Sequence, residues 1–187
     1  MVQLWQRSRA AEVLLGLSGL LTFPVAGVLL GGLYLATHRT PGRVGYSGGV
    51  GILIVVAVLL LICALTAVVH EGVHAVALRL VGRTPGLEPR TSPYLRLCVD
   101  RTEAPYGRGR FVVVMLAPVV LLTAVMVVGV AVGPYAGWLI VPTAFHLTAS
   151  KMDVAYSIVA LRRPAGTTCR VGDEGLELTP PADLEVP

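Results

Sequence analysis

Twenty consecutive residues, Val50 to Val69, carry no charge, and the next five read His70-Glu71-Gly72-Val73-His74. At about 1.5 Å per residue, such a run spans roughly one hydrocarbon core of a bilayer. Lipid offers no hydrogen-bond partners, so a segment like this folds as a helix that satisfies its own backbone. The chain therefore carries three ionisable side chains into the deep end of a membrane helix. That arrangement is costly unless they face a polar interior.

Three further apolar runs follow the same logic. The first, Val13 to Ala36, is too long for a signal-peptide core and holds Pro24, a point where a helix can bend. Its Gly27 and Gly31 form a G-x-x-x-G that could let a second helix approach closely. The third run is Phe111 to Val132, with Pro118 inside, and the fourth extends from Tyr135 to about Leu161, with Pro142 inside. Only 14% of residues are charged, against about 25% in soluble domains. The expected fold is an all-α integral membrane protein with about four transmembrane helices. One domain is expected over residues 1–165. After it, Asp173, Glu174, Glu177, Asp183 and Glu185, with Pro180 and Pro181, suggest a flexible acidic tail over 166–187.

The connection between the second and third runs, residues 81–110, holds six arginines and four prolines. Within it Tyr94 to Asp100 alternates, with Leu95, Leu97 and Val99 on one side, so a short strand or hairpin is expected there. The arginine-rich segments all fall on one side of a four-helix arrangement, and the positive-inside rule then makes both termini cytoplasmic. The net charge of +4 does not point to nucleic acid, because the arginines flank apolar runs instead of forming a basic stripe. Cys63, Cys98 and Cys169 show no C-x-x-C spacing and imply neither a disulfide framework nor a zinc ribbon. Many arginines beside a single lysine suggest a GC-rich prokaryotic source.

The chemistry lies in the H-E-x-x-H. Residues four apart on a helix share a face, so His70 and His74 can bind one zinc ion while Glu71 takes a proton from its water. A catalytic zinc keeps three protein ligands and one open position. His38 lies at the wrong end of the span. His146, Ser150 and Asp153 stand at i, i+4 and i+7 of the fourth run. Asp153 is the favoured ligand, because a buried carboxylate in a membrane needs a cation. His146 is the alternative ligand, or else it hydrogen-bonds a ligand from behind or contacts the substrate, with Ser150 beside it in the same role.

With these residues in place, the chain resembles the site-2-protease-like intramembrane metalloproteases, most closely the small DUF3267 zincin group. The resemblance rests on His70, Glu71 and His74, on Ala117-Pro118 in the next apolar run, and on the late polar segment ending in Asp153. It covers roughly residues 50–160. It implies that Asp153 completes the zinc site and that His146 stands near a position where those proteases have asparagine. The sequence departs from that pattern in two ways: Val154 follows the aspartate where glycine is usual, and histidine replaces the amide. The implied function is zinc-dependent endoproteolysis of a membrane protein substrate within the lipid bilayer, with Leu97 in a strand that could pair with unwound substrate. The rival expectations are a membrane metal-binding protein and a helical interaction subunit, neither of them proteolytic.

Overall fold

The computed structural model describes residues 3–5, 9–38, 48–83, 88–90, 96–98, 105–133, 135–172 and 175–181. Three long helices carry most of the chain: α1 (Arg9–Thr37), α2 (Gly48–Leu80) and α3 (Arg108–Val132). Each is long and apolar enough to cross a membrane. Large apolar side chains such as Leu20, Val28, Leu53, Leu60 and Val125 stand exposed along them, as lipid-facing residues should. The α2 helix runs unbroken through the H-E-x-x-H and stops as expected at Gly82, whose φ of +76° suits glycine alone.

The fourth apolar run folds as two successive helices, α4 (Ala136–Ala149) and α5 (Lys151–Leu161), rather than one. The break falls at Ser150, whose hydroxyl and amide both donate to the His146 carbonyl, at 2.8 and 3.0 Å. Such back-bonding bends helices. Ala26 and Leu30 of α1 pack on Ala144 of α4 and Val130 of α3. The G-x-x-x-G plays no part in this packing, since a Cβ added at Gly27 or Gly31 would meet nothing within 4 Å. The close helix approach occurs instead at Gly129, where an added Cβ would lie 2.6 Å from Leu139.

The expected hairpin in the 81–110 connection is present as β2 (Glu88–Arg90) paired antiparallel with β3 (Arg96–Cys98), with Leu97 opposite Pro89. A second sheet was not legible in the sequence. It joins β1 (Gln3–Trp5), β4 (Tyr106–Gly107), β5 (Thr168–Val171) and β6 (Leu176–Thr179) in the order β1-β6-β5-β4. The expectation of a flexible acidic tail over 166–187 is thereby corrected for residues 168–171 and 176–179. Their burial alternates, and Cys169, Val171, Leu176 and Leu178 enter one apolar cluster with Leu78, Tyr106, Phe111, Met115, Tyr156 and Ala160. On the outer side Arg170 and Glu177 pair at 2.6 Å. The acidic residues Asp173, Glu174, Asp183 and Glu185 lie outside the described residues.

This sheet seals the end of the bundle. Arg108, opening α3, donates to the Arg163 carbonyl just past α5, while its amide donates to the Thr167 carbonyl at 3.0 Å. Because β1, β4 and β5–β6 form one sheet, the chain must return to the same side after α1 and α2, and again after α3 and α4–α5. The broken fourth segment therefore brings the chain back to the end of the bundle where the sheet lies.

Candidate metal centre

The site lies where α2, α3, α4 and α5 meet, immediately above the apolar cluster that carries the sheet. His70 and His74 project from one face of α2, with ring centroids 4.9 Å apart. Asp153, in the first turn of α5, reaches between them. Its Oδ2 lies 3.1 Å from His70 Nε2 and its Oδ1 lies 3.9 Å from His74 Nε2. All three residues are buried, and one ligand atom from each lies within 4.8 Å of the other two.

The donor set fits zinc. Ligands at about 2.1 Å from a tetrahedral ion stand about 3.4 Å from each other, which falls inside the observed 3.1–3.9 Å. Protonation points the same way. His74 Nδ1 lies 3.0 Å from the Val114 carbonyl. A carbonyl only accepts, so Nδ1 carries the proton and Nε2 presents its lone pair to Asp153. Asp153 Oδ2, despite its closeness to His70, makes no hydrogen bond among the described residues. Two lone pairs that converge in a buried site call for a cation.

The Val114 carbonyl is available for a reason that begins in the sequence. Pro118 lies inside α3 and has no amide hydrogen, so the carbonyl four residues earlier, Val114, loses its helical donor. His74 takes its place. The Ala117-Pro118 pair thus acts on the site by freeing the acceptor that orients one imidazole. Metal-binding histidines are commonly held this way. Sequence reasoning named the proline but missed its partner; the offset of four was the available signal.

His146 joins the same chamber from α4. Its ring lies 5.3 Å from that of His70, it contacts the Pro118 backbone, and its buried Nε2 makes no hydrogen bond among the described residues. It stands outside the three-residue cluster that could hold a metal ion. Glu71 is half-buried beside His70 on α2. Ser150 is buried but commits its hydroxyl to the His146 carbonyl, and Ser157 donates to the Asp153 carbonyl at 2.7 Å. These two serines hold the loop-like break that aims Asp153. His38 sits at the far end of the bundle near the Gly133 carbonyl, away from the cluster. Cys63 is half-buried and also outside it. The side chain of Leu97 lies outside the described residues.

No curated protein and no solved structure matches this chain. A family match does exist: DUF3267, described as "Putative zincin peptidase", covers residues 61–168. That span takes in both histidines of α2, the Pro118 turn of α3, His146 and Asp153, and it makes up more than half of the 187 residues. The chain belongs to the DUF3267 zincin-peptidase family.

Proposed function

We propose that this chain is a zinc-dependent endopeptidase that cuts membrane proteins within or at the edge of the bilayer, on the pattern of the site-2 proteases. The observation that carries the reading is the buried placement of Asp153 between His70 and His74 of α2, a helix long and apolar enough to span a membrane. His70, His74 and Asp153 would hold the ion. Zinc bound there supplies a Lewis acid that makes water a nucleophile near neutral pH and polarises the scissile carbonyl.

The remaining work falls to the chain itself. Glu71 accepts the attacking water's proton and passes it to the leaving amine. His146 spends its ring N–H on the Pro118 carbonyl, so its uncommitted Nε2 beside His70 accepts a hydrogen bond from a backbone N–H of the unwound substrate. The buried chamber excludes bulk water and strengthens these interactions. A transmembrane substrate must unwind before attack, because its peptide groups are otherwise satisfied within its own helix. The β2–β3 hairpin offers an edge for the unwound strand. The arginine-rich 81–110 connection supports, by the positive-inside rule, a reading in which the sheet and both termini face the cytoplasm of a prokaryotic cell.

The test is zinc content per chain in detergent-purified protein, measured beside cleavage of membrane substrates. Wild type should hold one zinc. Asp153→Ala should lose it, while His146→Ala and Glu71→Gln keep it and lose cleavage. Loss of zinc on His146→Ala alone would move the third ligand. Zinc retained together with undiminished function in Glu71→Gln would replace the peptidase reading with simple metal binding.

A further inference from the structure

The first half of α2 has almost no protein around it. Among its described residues none is buried before Thr66. Beside this stretch, between α2 and the start of α4, lies an apolar groove of about 510 Å³ lined by Val58, Ile62, Gly133, Tyr135, Trp138 and Leu139.

The lining residues are in register with the metal centre. Val58, Ile62, Thr66, His70 and His74 are spaced by four and form one stripe on α2. On α4, Tyr135, Trp138, Leu139, Pro142, Thr143 and His146 form a stripe by the same spacing rule. Both helices run toward the site. At the helical rise, Ile62 lies about 12 Å from His70 and Leu139 about 10 Å from His146. Val58 and Tyr135 stand one further turn out, again at matching levels. One turn nearer the site stand Thr66 and Thr143, both buried, whose hydroxyls donate to the carbonyls of Ile62 and Leu139 on their own helices. One continuous seam therefore starts apolar near Tyr135 and Trp138 and ends at the histidines.

We infer that this groove is the docking track for the substrate, and that its occupant is an apolar transmembrane helix of another membrane protein. The inference rests on the peptidase reading and adds how the substrate is chosen. Among the described residues the groove is lined by no charged side chain and its surface is almost wholly apolar, so it selects by apolar bulk. The helical part of the substrate ends at the two threonines. Beyond them the chain is extended, and about two residues at about 3.3 Å each cover the last 5–6 Å to the level of the histidines. Selection thus acts on side chains a few residues from the scissile bond, not on the residues flanking it.

Trp138 reports on this groove directly, because Trp5 is the only other tryptophan. The chain with Trp5→Phe and Glu71→Gln is placed in lipid nanodiscs. The probe is a lysine-flanked leucine–alanine transmembrane peptide bearing one dibromotyrosine. Quenching of Trp138 should saturate with peptide. Filling the groove with Val58→Phe and Ile62→Phe should weaken that binding about tenfold or more while leaving one zinc per chain. In a matched experiment with brominated acyl chains, unbrominated peptide should relieve the lipid quenching. Quenching that rises linearly without saturation, or that is equal in the filled variant, overturns the proposal. Lipid quenching that peptide cannot relieve also overturns it, and assigns the groove to an acyl chain. None of these readouts needs cleavage, so a failed peptidase reading and a failed docking reading give different results.

Discussion

Pro118→Ala tests whether the proline serves the metal centre or only shapes α3. Alanine restores an amide hydrogen at position 118, and the Val114 carbonyl regains its helical donor. That bond contributes about 1 kcal/mol, and alanine is favoured over proline inside a helix by about 3 kcal/mol. Against this, removing part of a buried ring leaves a small void, costing roughly 1–2 kcal/mol. The metal-free protein should therefore be as stable as wild type or more so. The zinc-bound protein should not share the gain. The Val114 carbonyl would be divided between the new amide and His74 Nδ1, now 3.0 Å away. Losing such a partner weakens metal affinity by about 10–100-fold. A carbonyl with two lone pairs can still accept both donors, so the lower figure is expected. At fixed free zinc, a tenfold weaker affinity removes about 1.4 kcal/mol of zinc-linked stability. Zinc affinity is read by competition with a chromogenic chelator, and stability by thermal unfolding with and without zinc. Pro24→Ala, on α1 and remote from the site, is the control. Zinc affinity unchanged within twofold in Pro118→Ala would refute the reasoning, as would an equal loss in Pro24→Ala.

Two other consequences follow from the strands. Leu97→Pro removes a main-chain donor from β3 and should lower cleavage about fivefold, the equivalent of one hydrogen bond, with zinc retained; unchanged cleavage would remove the hairpin from substrate handling. Burial in the sheet pushes the Cys169 thiol up to about 11, with Arg108 opposing. A raised folded-state value means that its contribution to stability is complete below the ordinary value of 9.0 and is lost as pH rises toward 11. In a chain with Cys63→Ala and Cys98→Ala, maleimide should fail to label Cys169 at pH 8 until denaturant is added, and fast labelling of the native protein would contradict its burial.

The helices were legible because lipid enforces a simple rule: long charge-free runs must close their own hydrogen bonds. The meeting of His70, His74 and Asp153 was legible because helical spacing of four is rigid, and because a carboxylate such as Asp153 is expensive in an apolar helix without a cation. What escaped was whatever depends on tertiary context. The sheet strands are three or four residues long or shorter, and the alternation in Thr168–Val171 and Leu176–Thr179 is too brief to outweigh the acidic residues around it. The pairing of Gln3–Trp5 with β6 has no local signal at all. The break at Ser150 came from a serine hydroxyl turning back on its own helix, a choice that an apolar run does not advertise. The Gly27–Gly31 spacing had the opposite failing, since a motif for close approach is present and, among the described residues, nothing lies within 4 Å of a Cβ added at either glycine.

The sheet that joins the chain's two ends also sets an order of assembly. Gln3 pairs with Leu178, so this pairing must wait until the 175 residues after Gln3 have been made. On the membrane reading proposed above, the pairing would close only once every intervening helix had been inserted. A failed crossing would leave the sheet open, and the apolar cluster beneath His74 and Asp153 would then lack its strands. The sheet would thereby tie correct insertion to the support of the metal centre.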